Sequence, residues 1–307
     1  MRGMNESDAS KSKPILNRRA EQIVSKDTSP GSWIGAVIVV LAVVAAGAYL
    51  ARKAVHPGAQ ESADVPSIPA SAPAPARAAT SSIRYPIAPT GAPAGASTAP
   101  LPALDDSDAS VVAALAALAG SGDLRSLLLP QQVVTRIVAT IDALPRHALG
   151  TLMLPLRTPR GALATAEVDG QAVISGQNSL RYAPYMQIVD GIDPQALVAW
   201  YVHAYPLFQQ AYRQLGYPQG YFNDRLIVVI DDLLAAPELD HPAALIQSGP
   251  FYVYADPSLE SLSAGQRLLF RVGPANEAKI KAKLRVIRAL LTAQAPPAVP
   301  VSADTAE

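Results

Sequence analysis

This sequence predicts a mainly α-helical protein in three parts: a single N-terminal transmembrane helix, a disordered Pro/Ala-rich linker, and one α-helical globular domain with a small β-hairpin. Three observations carry that prediction. Trp33 to Leu50 reads WIGAVIVVLAVVAAGAYL without a charged residue. Pro57 to Pro102 holds ten prolines among alanines and serines. Beyond it, apolar residues recur three and four apart, the period of a helix with one buried face.

The apolar run comes first. At ~1.5 Å per residue, Trp33 to Leu50 covers roughly 27 Å, close to the thickness of a bilayer core, and Arg52 and Lys53 can snorkel at its end. A cleavable signal peptide is the rival reading, but a polar tail, residues 1–32, precedes the run. The run is also longer than the ~7–15 residues of a signal core. Lys13, Arg18, Arg19 and Lys26 before it outnumber Arg52 and Lys53 just after it. The positive-inside rule therefore places the tail in the cytoplasm and the remainder across the membrane, in the periplasm of a bacterial cell. Gly31/Gly35 and Ala42/Ala46 have small-residue spacing, but alanine and glycine are common in membrane spans, so they read as composition.

Residues 51–102 read as the linker, with almost no large side chain to build a core. Residues 57–102 would reach on the order of 140 Å as polyproline II and about 40 Å as a coil. The globular domain is expected over 103–294 and a disordered tail over 295–307. Zero cysteines exclude thiol catalysis, haem attachment through CxxCH and thiolate zinc sites, while leaving the redox compartment open.

Within the domain, Asp108 is expected to cap a helix that Gly120 ends. The next helix opens at Pro130 and buries Val133, Val134, Ile137, Val138, Ile141 and Leu144 before Pro145 stops it. LATAEV and QAVIS flank Asp169-Gly170, a hairpin turn pair. Asp193-Pro194 opens a helix whose stripe, Leu197, Tyr201, Ala204, Phe208, Ala211 and Leu215, is expected to break or kink at Pro206. Asn223 is expected to cap the following helix, with Leu226, Ile230, Leu233 and Leu234 inward. FYVYA at 251–255 reads as a strand, and Asp256-Pro257 as another helical start. From about Ala275 to Ala293 the last helix turns Ile280, Leu284, Ile287 and Leu291 inward and Lys279, Lys281, Lys283, Arg285 and Arg288 mostly outward.

YPI at Tyr85, LPALDDSD at Leu101, VATIDALPR at Val138, RYAPY at Arg181, YPLFQQAYRQLGYP at Tyr205, FNDRLIVVIDDLLAAPE at Phe222 and YADPSLESLSAGQRLLFRVGP at Tyr254, with the anchor and spacer, resemble the bacterial family catalogued as domain of unknown function 3014. The resemblance covers nearly all of the chain after residue 84. It implies a bacterial envelope protein and brings no activity, cofactor or catalytic residue with it.

Candidate chemistry is sparse. His56, His147, His203 and His241 lie far apart, and none stands at metal-ligand spacing, so no metal and no cofactor is expected. GxSxG, SxxK, GxxxxGK[ST] and GxGxxG are absent. The enzymatic candidates are carboxylates: Asp231 and Asp232, which point about 100° apart on a helix, and Asp256 and Glu260, four apart. Each has a simpler reading as a cap or solvated face. Thirteen of seventeen aromatics fall between Tyr182 and Tyr254. Tyr201, Phe208 and Tyr212 sit on the apolar stripe and read as core. Arg181, Tyr182, Tyr185, Tyr217 and Tyr221, near loops and helix ends, are the expected ligand- or partner-binding residues.

Residues 181–260 carry three basic and nine acidic side chains against seven and one in 261–295. The two regions either pair within the fold or face a partner. A basic terminal helix would fit nucleic acid, but the periplasmic address excludes that partner. The expected partners are the bilayer, through Trp33–Leu50, and an envelope protein or glycan. The leading reading is a non-enzymatic membrane-anchored binding or scaffold domain; the alternative is an envelope glycan- or peptide-processing enzyme using Asp/Glu residues.

Overall fold

The computed structural model describes residues 83–87, 100–150, 153–249 and 251–293. The apolar run Trp33–Leu50 and the terminal tail lie outside them, and among the described residues no helix is long and apolar enough to cross a membrane. In chain order the elements are α1 (Asp108–Leu118), α2 (Leu124–Leu127), α3 (Val133–Ala143), β1 (Thr165–Val168), β2 (Gln171–Ile174), α4 (Ala183–Gly191), α5 (Pro194–Gln214), α6 (Phe222–Leu234), β3 (Leu245–Ser248), β4 (Phe251–Tyr254), α7 (Pro257–Glu260), α8 (Ala264–Val272) and α9 (Pro274–Ala293). A 3₁₀ helix, Gly176–Tyr182, leads into α4. The fold is mainly helical with two small antiparallel hairpins.

Helix starts follow the caps in two of four places. Asp193 accepts from the amides of Gln195 and Ala196, and Asp256 from that of Ser258. Asp108 does something else. It is the first residue of α1, and its carboxylate accepts from Gln132 and Val133, both at 2.7 Å, so it caps α3 from another element. That cap, with Gln132 in a left-handed conformation, starts α3 at Val133 rather than at Pro130. Nor does Asn223 cap α6: it is buried inside the helix and its amide nitrogen reaches Tyr85 O at 2.8 Å.

The proline in α5 does not break it. Pro206 lacks one helical hydrogen bond, but Leu197, Tyr201 and Ala204 before it and Phe208 and Ala211 after it are buried in one core, so packing holds both halves in one helix. Leu215 lies past the helix end and is exposed, and Leu234 is half-buried. Against α5 stand α3 and α9, and α6 leans on α3 and α9. Trp200 meets Phe208 edge-on at 5.6 Å, and Phe208 stacks on Phe222 at 5.9 Å, an arrangement favoured by the ring quadrupoles.

A helix unforeseen by the pattern, α8, walls this core off from a second one. Ser263 and Gln266 form a capping box at its start. Its first free amides, Ala264 and Gly265, donate to Arg146 O and Leu144 O at the end of α3, so the two helices meet end to end. A Cβ at Gly265 would sit 2.6 Å from Leu233 Cδ2, so any side chain there would displace Leu233.

Beyond α8 lie the hairpins. β1 pairs with β2 through the expected turn, Asp169 and Gly170 both having positive φ as a type I′ turn demands. The 251–255 strand exists as β4, but it pairs with β3, whose LIQS sequence lacks a strong strand pattern. Ile174 N donates to Ala243 O at 3.1 Å, joining the hairpins side by side. Ile174, Ala243, Leu245, Tyr254 and Phe270 fill the small core beneath them.

Ile83–Ile87, inside the stretch read as spacer, are docked on the helices. Arg84 N and Tyr85 N donate to the Asp224 carboxylate, Ile87 N to the Tyr221 hydroxyl, and Tyr85 and Ile87 pack against the main core.

Candidate functional site

The acidic middle and basic last helix pair within the fold. Lys279 meets Asp190 at 2.9 Å, Arg288 clasps Asp231, and Lys283 donates to Asp190 O and Ile192 O. Lys281, expected to face outward, is inside with only 2% of its surface exposed. Its ammonium donates to Ala236 O just past the end of α6 and pairs with Glu277, one turn earlier, both at 2.7 Å. A lysine there neutralises orphan carbonyls and the negative end of the α6 dipole. Glu277 is 5% exposed, and burial raises its pKa although Lys281 opposes the shift.

That pair abuts a cleft of about 420 Å³ between the start of α9, the end of α8 and the chain leading into β3. Ile174, Leu239, Phe270 and Val272 give it apolar walls, and Asp240, His241, Arg271, Asn276 and Glu277 bring polar groups to it. The size and mixture suit a small ligand or one or two side chains of a larger one. A smaller cavity of about 210 Å³ lies beside β4, between Phe251, Glu260, Arg267 and Leu268.

The nominated carboxylates go to four separate attachments. Asp231 is held by Arg288, and its partner's pKa is raised by that bond. Asp232 accepts from the Ser263 hydroxyl at 2.7 Å, while burial raises its own pKa. Asp256 caps α7, which lowers its pKa. Glu260 binds Arg267 and accepts from Tyr254 N. None of the four lines the larger cleft.

The expected binding residues fare differently from one another. Tyr182 and Tyr185 are buried, and the Tyr185 hydroxyl donates to Arg157 O at 2.8 Å while burial lifts its pKa to about 12. Arg181 donates to Arg160 O, Gly161 O and Asn178, so Arg181 and Tyr185 pin the loop before β1. Tyr217 is half-buried and donates to Asp142, a buried carboxylate that also binds Arg146 and Arg225. Tyr221 accepts through its hydroxyl from Ile87 N of the same chain, in residues 83–87. Proximity to a loop failed as a guide because helix ends in this fold are themselves covered.

Glu277, Asp240 and His241 were missed as cleft residues, and Asn223 and Asp224 as contacts. One signal was available. Glu277 and Lys281 each lie three residues before a member of the inward stripe, Ile280 and Leu284, so helical spacing already put both on the buried face.

A helical domain with paired hairpins, a half-apolar cleft and a docked N-terminal strap defines a class of small α-rich domain built around structural ion pairs. Residues 133–288, just over half of the chain, match the family described as Protein of unknown function (DUF3014), and the chain belongs to that family. No curated protein and no solved structure matches it.

Proposed function

We propose that this chain is a single-pass protein of the bacterial inner membrane, anchored by Trp33–Leu50 with its N-terminus in the cytoplasm, whose periplasmic domain binds an envelope protein or glycan without catalysing a reaction. The observation that carries the non-catalytic reading is the scatter of Asp231, Asp232, Asp256 and Glu260. Glycan hydrolysis needs two carboxyls converging on one bond, and these four are committed to separate ion pairs, hydrogen bonds and a cap. The binding face of this reading is the cleft at the start of α9.

One observation favours the enzymatic alternative. Glu277 and Asp240 line the same cleft, and a buried carboxyl with a raised pKa is the usual form of a general acid. Incubating the full-length protein with isolated peptidoglycan separates the two. Binding predicts co-sedimentation that Ala275→Trp, which fills the cleft, abolishes, with no soluble fragment released. Release of fragments that is lost in both E277Q and D240N replaces the binder by the enzyme. The topology has its own readout: a reporter fluorescent only in the cytoplasm, fused after Glu307, stays dark, and a bright fusion reverses the orientation.

A further inference from the structure

The contacts that hold Ile83–Ile87 are almost all to its backbone. The Asp224 carboxylate takes two successive amides, Arg84 N at 3.0 Å and Tyr85 N at 2.8 Å. Asn223 Nδ2 donates to Tyr85 O at 2.8 Å, and Tyr221 accepts from Ile87 N at 2.6 Å. Bonds to a carboxylate are the stronger kind, and this set reads a main chain that bends at Arg84 and Tyr85, which turns two successive amides toward one carboxylate. Side chains add selectivity: Tyr85 and Ile87 pack on the core.

The receiving surface is held by contacts that do not involve the strap. Gln209 in α5, nearly buried, accepts from Tyr205 OH and Phe222 N and donates to Gly220 O, fixing the turn that carries Tyr221. The Tyr221 ring rests on Tyr205 at 5.3 Å. Asn223 is fully buried, and its Oδ1 has no hydrogen-bond donor, so the strap leaves one buried acceptor of the site unused.

We propose that Tyr221, Asn223 and Asp224 form a clamp for peptides of Arg-Tyr-Pro type bent at the Arg-Tyr pair, occupied in cis by Ile83–Ile87, and that its occupant in trans is the same segment of a second copy of this chain. Every copy carries both halves, and strap and clamp lie more than 130 residues apart in sequence. Residues 88–99 form the only covalent link between the strap and the start of the domain. Exchange between copies therefore keeps the four hydrogen bonds and adds only the cost of association. The inference concerns a surface distinct from the cleft and does not depend on the proposed function.

Two full-length variants in detergent test it. One has a broken strap, Arg84→Pro with Tyr85→Pro, which removes both amides that Asp224 accepts, and an intact empty clamp. The other has a broken clamp, Asp224→Ala with Tyr221→Phe, and a free strap. The proposal predicts that each is monomeric alone and that mixing them yields a heterodimer. A fluorescent peptide of sequence SIRYPI should bind the strap variant and compete with the heterodimer, and loss of the clamp should weaken it by about tenfold or more. Peptide binding without a heterodimer overturns exchange between copies. No peptide binding to a strap variant whose circular dichroism is unchanged overturns the clamp itself. If the strap variant unfolds on its own, added peptide should restore its helicity, and failure to do so also overturns the clamp.

Discussion

The bundle and the hairpin annex are built on opposite terms. In the bundle, α3, α5, α6 and α9 each contribute an apolar stripe to one large core, and buried polar groups tie its parts together, as Lys281 does beneath α6. In the annex, two hairpins of four-residue strands cover five buried side chains, and β1 is exposed at every position. Short hairpins are marginal unless they pack on something larger. The annex is stable because Phe270 and Tyr254 fasten it to α8, Tyr254 by an edge-on ring contact and a bond to Arg267 O. Order thus flows from the bundle through α8 to the sheet.

The sharpest way to break that asymmetry is at the centre of the bundle. Phe208→Ala, measured by chemical denaturation, should cost about 3–5 kcal/mol and unfold helices and hairpins in one transition. Lys281→Ala should cost a similar ~3–5 kcal/mol, because it strands the Glu277 carboxylate in the interior. A double change of Lys281→Met and Glu277→Leu should recover most of that loss, which distinguishes a stranded charge from a packing defect. Leu245→Ala in the annex should cost about 2 kcal/mol, at the low end for leucine, since a thin layer can collapse onto the gap. Its signature is local: amide exchange accelerates in β1 to β4 while α5 stays protected. Should α5 lose protection equally, the annex is an integral part of the bundle.

Asp108→Ala should cost about 0.5–2 kcal/mol by uncapping α3, and Asp108→Asn much less. The smallest effect is with pH. Burial raises the folded pKa values of Asp232 and Glu277, so the folded state holds protons the unfolded chain has already released. Stability should therefore rise as pH falls from neutral toward the ordinary carboxylate range, and lie lower above those raised values. Asp232→Asn keeps the acceptor for Ser263 and should flatten that slope; an unchanged slope would leave Glu277 as its source.

The same contrast decides what could be read without coordinates. Val133 through Leu144 and Ile280 through Leu291 were legible because a helix buries one face at a fixed period. Pro206 does not end the helix because its local cost is small against the rings packed on either side. β3 escaped notice because LIQS is a strand by virtue of its neighbour and not of its composition. Of the site, Tyr221 was visible as an aromatic at a helix start. Asp224 and Asn223 were not, since nothing in FNDR says that a segment some 140 residues earlier folds over it. Likewise the buried ion pair was masked by Lys281 standing among the basic residues of a helix expected to turn mostly outward.

The cap that Asp108 lends to α3 has a consequence for how the chain acquires its shape. An α-helix of eleven residues is too short to persist alone, and its costliest step is fixing the first turn. Here that turn is closed by a carboxylate only 24 and 25 positions earlier, so the loop to be closed is short and its entropic toll grows only slowly with length. During synthesis Asp108 emerges before Val133 and is waiting when α3 appears. Helices α1 and α3 should accordingly form as one nucleus, giving high φ-values at Asp108 and Val133 in folding kinetics and low ones in the hairpins.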